Sequence, residues 1–137
     1  MPQLIEHIDA IARRKQRDVL YLSFFDAGGD WRVPGNWQQN ATREQVIAWL
    51  ATNGYGWEPC GEIAKEAAMA SYGGSIYVDT AFDQADPSYQ ALAAFLEHPD
   101  GTPRLPGMKF WAVSLDAAMQ NAHHDAPGFW DQWAEKF

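Results

Sequence analysis

The stretch Trp57-Glu58-Pro59-Cys60-Gly61-Glu62-Ile63-Ala64-Lys65-Glu66-Ala67-Ala68-Met69-Ala70-Ser71-Tyr72 decides how the chain folds. Its first half, Trp57 to Ile63, reads as extended. Pro59 has no N–H to give a ladder, so this strand belongs at a sheet edge or carries a bulge. Its second half stays open. The Ala, Lys and Glu of residues 64–70 favour helix by propensity, whereas a neighbouring ladder would draw residues 64–72 into a strand. A helix there would separate two strands that otherwise follow one another directly.

Toward the C-terminus the signals are clearer. Gly73-Gly74 marks a turn, and Ser75-Ile76-Tyr77-Val78-Asp79-Thr80 alternates as a half-buried strand does. Asp86-Pro87 is an N-cap followed by proline at the first helical position. The helix it opens carries Tyr89, Leu92, Ala93, Phe95 and Leu96 and stops at His98-Pro99. A Pro/Gly-rich loop, 99–107, leads to the strand Met108-Lys109-Phe110-Trp111-Ala112-Val113-Ser114. Two short helices, about 115–123 and 127–136, close the chain, the second with Phe129, Trp130, Trp133 and Phe137 at helical spacing.

Toward the N-terminus, Thr42-x-x-Gln45 has the capping-box pattern. Val46, Ile47, Trp49 and Leu50 supply the buried side of its helix, and Gly54 suits the C′ position. Val19-Leu20-Tyr21-Leu22-Ser23-Phe24-Phe25 is a dense apolar strand that belongs in the middle of a sheet. Residues 3–16 place Leu4, Ile5, Ile8, Ile11 and Ala12 on one helical stripe, and the basic run Arg13, Arg14, Lys15 and Arg17 complements the dipole at its end.

Without the terminal helices the order is strand, helix, strand, strand, helix, strand. That is the βαββαβ order of a ferredoxin-like α+β domain: an antiparallel sheet with both crossover helices on one face. The expectation is one globular domain over residues 1–137, with an extra N-terminal helix and one or two C-terminal helices. The second sheet face needs a cover, either those extra helices or a second copy of the chain, so a homodimer is among the expected arrangements.

Composition narrows the function classes. The net charge is −8, and four of the ten basic residues fall before position 18, leaving six basic against sixteen acidic over residues 18–137. Binding to nucleic acid draws on neutralised phosphates, so this acidic body argues against it. No apolar run is long enough to cross a bilayer, no signal-peptide layout opens the chain, and one cysteine forms no internal disulfide. These features lead to the expectation of a cytoplasmic protein without a membrane role.

Candidate chemistry is sparse. Cys60 has acidic neighbours and no local base, so it reads as a structural thiol rather than a nucleophile. His123-His124-Asp125 is the densest set of potential metal ligands, but adjacent histidines on a helix point about 100° apart. Asp79, Asp83 and Asp86 lack the glycine and closing glutamate of a calcium loop. Asp26-Ala27-Gly28-Gly29-Asp30 lacks the Lys-Ser/Thr of a phosphate loop. Neither a cofactor nor a metal is expected, and an enzymatic role is not favoured.

The seven tryptophans divide into two groups. Trp49, Trp57, Trp111, Trp130 and Trp133 sit where a core would claim them. Trp31 and Trp37 lie with Arg32 in a long polar connection, Asp26 to Ala41, and Trp and Arg dominate interface hot spots. This leads to a binding module, a regulator, inhibitor or adaptor, that engages a protein partner through the aromatic loop. The alternative is a small-molecule binder or small enzyme. Its pocket would lie between sheet and helices, lined by Trp57, Tyr77, Trp111 and Tyr21, with Glu58, Asp79, His98 and Cys60 as polar groups. Self-association is a third reading. The candidate site residues are therefore Trp31, Arg32, Trp37, Trp57, Glu58, Tyr77, Asp79 and Trp111.

Overall fold

A computed structural model describes residues 6–26, 29–30, 36–64 and 72–135. Helix α1 (Ile8–Lys15) precedes β1 (Val19–Phe24), and a single 3-10 turn at Trp37–Gln39 precedes α2 (Ala41–Thr52). Strands β2 (Gly56–Pro59) and β3 (Ile76–Asp79), helix α3 (Pro87–Leu96) and β4 (Met108–Val113) follow. Two short helices, α4 (Leu115–Met119) and α5 (Phe129–Ala134), flank a second 3-10 turn at Ala122–Asp125.

The described residues form an α+β fold with a four-stranded sheet in the order β2-β3-β1-β4 and every neighbouring pair antiparallel. Each helical crossover skips one strand: α2 carries the chain from β1 past β3 to β2, and α3 carries it from β3 past β1 to β4. β1 lies inside the sheet with all six residues buried, as its unbroken apolar run requires. β2 lies at an edge and ends on Pro59, where a missing N–H breaks no ladder. Among the described residues, no helix is long and apolar enough to cross a membrane.

Alternation along the strands builds two cores. Leu20, Leu22, Phe24, Ile76, Val78 and Met108 face α2 and α3, where they meet Val46, Leu50, Leu92 and Leu96. Val19, Tyr21, Tyr77 and Val113 face the other way and meet Ile8, Ile11 and Ala12 of α1 with Ala118 of α4. The second face is therefore covered, at least in part, by the terminal helices. Burial of one such side chain stabilises by roughly 1.5–3 kcal/mol, against about 0–1 for an exposed ion pair. Apolar packing of α1, rather than its charged rim, holds it on the sheet.

Several boundaries differ from the sequence expectation. The cap of α2 is Asn40, not Thr42: the Asn40 side chain accepts from the Arg43 N–H at 2.8 Å while its amide donates to the Phe25 carbonyl at 3.3 Å. The Thr42 hydroxyl instead donates to the Pro106 carbonyl at 2.8 Å. α1 begins at Ile8 because His7 is held as a parallel bridge to Gly61. The C-terminal helices are shorter than expected, and residues 122–125 tighten to a 3-10 turn. Residues 3–5, and 65–71 of the helix-or-strand segment, lie outside the described residues.

The cap of α3 is as expected, with the Asp86 carboxylate accepting from the Ser88 N–H at 2.8 Å and Pro87 following. Asp86→Ala should lower stability by about 1 kcal/mol in urea denaturation at neutral pH. A change below a few tenths would mean the cap is idle.

Candidate functional site

The long connection after β1 is tied down at both described ends. At its start, the Phe25 N–H donates to the Gly107 carbonyl at 2.9 Å, and the Gly29 N–H closes a turn on Asp26 at 2.8 Å. At its end, the Asn36 side chain accepts from the Gln38 N–H and so caps the 3-10 turn that carries Trp37. Asn40 then ties that end back to Phe25.

Trp37 is half-buried in a clamp. The Arg43 guanidinium lies 4.8 Å from the centre of its ring, and Tyr72 meets it edge-on at 4.9 Å. Arg43 also donates from Nε to the Gly74 carbonyl at 2.8 Å and from an Nη to the Tyr72 hydroxyl at 3.1 Å. That hydroxyl in turn donates to the Ser75 carbonyl at 2.8 Å. Burial raises the Tyr72 pKa and Arg43 opposes the rise, so the phenol remains a donor at neutral pH. Gly74 completes the clamp: its φ is +95° and a Cβ there would stand 2.3 Å from Trp37 Cβ. Trp37 is therefore an anchor for the loop and not its free tip. Trp31 and Arg32 lie outside the described residues.

The other expected site residues separate by sheet face. Trp57 stands opposite Val78 and packs on the α2/α3 core. Tyr77 and Trp111 both stand opposite Tyr21, on the face toward α1. One pocket lined by Trp57, Tyr77 and Trp111 together is therefore not formed, because adjacent strand positions point to opposite faces. Trp111 stacks on Tyr21 at 6.1 Å and donates from its indole to Ser23 Oγ at 2.8 Å. Burial pushes the Tyr21 phenol pKa well up.

Glu58 and Asp79 meet the basic end of α1. Arg14 bridges Glu6 at 2.9 Å and Glu58 at 3.0 Å, while Arg17 meets Asp79 at 2.6 Å and Lys15 lies 3.7 Å from it. The Tyr77 hydroxyl donates to Asp79 at 2.8 Å and accepts from Arg17 at 3.3 Å. The Tyr77 bond, with Lys15 and Arg17 behind it, holds the Asp79 carboxyl below the usual range. The basic run is thus an ionic seam between α1 and the β2/β3 end of the sheet.

The remaining candidates find structural roles. Asp125 accepts two bonds from Arg13, and His124 is buried against Phe129 and Trp130. Among the described residues, no three His, Cys, Asp or Glu side chains form a group that could hold a metal ion. Cys60 is fully buried, and burial, then Glu58 and Glu62, pushes its thiol pKa far up. A thiol-reactive disulfide reagent at mild alkaline pH should modify the native chain at least about a thousandfold more slowly than the unfolded one. Labelling at comparable rates would show that Cys60 is not sealed.

Arg43, Tyr72 and Gly74 carry the loop clamp, yet nothing local in the sequence marks them. The one usable signal was Gly73-Gly74, which reads as a turn without naming the indole it must admit. No protein-family model matches the chain, and no curated protein or solved structure shows significant similarity to it.

Proposed function

We propose that the protein is a non-enzymatic, acidic binding module that engages a basic protein partner through the loop between β1 and α2. The clamp on Trp37 carries this reading. A long polar connection is costly to order on binding, and anchoring both ends lowers that cost. Charge supports it too. Arg13, Arg14, Lys15 and Arg17 are all paired with carboxylates, and Arg43 is committed to Gly74, Tyr72 and Trp37. The charge left for a partner is thus predominantly acidic. In this reading the protein is cytoplasmic and does not bind nucleic acid directly.

The same reading treats the domain as ferredoxin-like. Taken from the other edge, the sheet runs β4-β1-β3-β2, and each crossover skips one strand, as a split βαβ pair does. The alternative of an aromatic-lined pocket for a small molecule is weakened by the separation of Trp57 from Tyr77 and Trp111.

The test leaves the clamp intact. A partner is first identified by cross-linking, and its affinity is then measured for Trp31→Ala and Arg32→Ala chains with unchanged circular dichroism. Each variant should weaken binding at least about tenfold, and the wild-type affinity should fall with added salt. Undiminished binding by both variants would exclude the loop as the interface.

A further inference from the structure

At the C-terminal end of α3 the chain folds back over a shallow depression of about 340 Å³, lined by Ala93, Ala94, Glu97, His98, Gly101 and Arg104 among others. Its volume falls at the small end of ligand sites. The turn that forms its rim is held by more bonds than a simple reversal needs. Glu97 bridges to Pro103, the His98 N–H donates to the Thr102 carbonyl at 2.8 Å, and the Arg104 N–H donates to the Leu96 carbonyl at 2.8 Å. The Asp100 carboxylate accepts from both the N–H and the hydroxyl of Thr102. The rim is therefore set before any ligand arrives.

Two opposite charges line this depression without meeting. Arg104 spends its Nε on the Glu97 backbone carbonyl at 2.8 Å, which fixes the guanidinium at the helix end, and neither Nη group bonds a described residue. The Glu97 carboxylate makes no hydrogen bond or ion pair with any described residue, Arg104 included. It is half-buried at the negative pole of a helix, a poor place for a carboxylate, and burial raises its pKa. Each group would gain from a counter-charge, and the two do not supply it to one another.

We propose that this depression binds the zwitterionic head of a free α-amino acid, its carboxylate on the Arg104 Nη groups and its ammonium on the Glu97 carboxylate. A guanidinium presents parallel donors that suit a carboxylate, and an ammonium supplies the donors that Glu97 lacks. His98 also lines the depression. The proposal does not depend on the partner reading.

The full chain, labelled with ¹⁵N, should be titrated with L-alanine in the millimolar range by two-dimensional NMR. Saturable shifts are expected at His98, Gly101 and Arg104. N-acetyl-L-alanine lacks the ammonium and L-alanine methyl ester lacks the carboxylate, so each should bind at least about tenfold more weakly. Glu97→Gln and Arg104→Gln each change an accessible side chain and should weaken L-alanine to a similar degree with the spectrum otherwise retained. Absence of saturable shifts, equal binding of the acetylated or esterified compound, or indifference to both substitutions would overturn the proposal.

Discussion

Replacing Arg13 by methionine is expected to cost about 3–5 kcal/mol, a large share of the stability of a folded chain this size. Arg13 is buried at the seam between α1 and the C-terminal elements. It meets Asp9 at 3.2 Å, the Ala118 carbonyl at 2.9 Å and Asp125 through two bonds of 2.8 and 2.9 Å. Asp9 is fully buried, and also accepts from Asn121 at 2.9 Å and from the Ala64 N–H at 3.2 Å. Removing the arginine leaves a carboxylate out of water without its counter-charge, and that penalty exceeds the worth of the pair itself.

The double variant Asp9→Asn with Arg13→Met removes the stranded charge and should recover part of the loss. A loss below about 1 kcal/mol for Arg13→Met alone would show that the network is not buried as described.

The same network sets an acid limit. Burial pushes the Asp9 pKa up, but bonds from Asn121, Ala64 and Arg13 outweigh it and hold the group below its ordinary value. Arg13 likewise lowers Asp125. Groups depressed in the folded state contribute stability above their unfolded pKa, about 3.9 for Asp, and lose it as pH falls through the folded value. The gap between wild type and Arg13→Met should thus be full near neutral pH and close below about pH 4. A gap that widened on acidification would contradict this assignment.

Gly74→Ala should be destabilising by about 2–6 kcal/mol, for two independent reasons. A Cβ at φ +95° is strained, and it would stand 2.3 Å from Trp37 Cβ and 3.0 Å from Cγ. The contact is with the first atom of the tryptophan side chain, so Trp37→Ala would not relieve it, whereas Trp37→Gly would. In a Trp37→Gly background, Gly74→Ala should cost only the backbone strain, about 1–3 kcal/mol. A double-mutant cycle additive to within about 0.5 kcal/mol would show that the glycine is not shaped to the indole.

Much of the fold was legible because its signals are local. Asp86-Pro87 starts α3, the run from Val19 makes β1, and Pro59 limits β2 to an edge. Thr42 misled because Asn40 competes for the same cap and gains a second bond to Phe25, a contact between elements. In the sequence Arg13 is one member of a basic run at a helix end, with Asp9 four positions before it. Only the packing of α4 and Ala64 around them turns that pair into a buried network.

Outside residues 64–72, the sequence by itself determined the type and order of the main helices and strands, because caps, prolines and hydrophobic period act within a few residues. It also determined the acidic excess. Tertiary structure decided what each aromatic does. Strand register sends Trp57 to one face and Tyr77 and Trp111 to the other, and register is a relation between strands far apart in sequence. It also made Trp37 an anchor by bringing Arg43, Tyr72 and Gly74 around one indole, through contacts that span 6 to 37 positions along the chain.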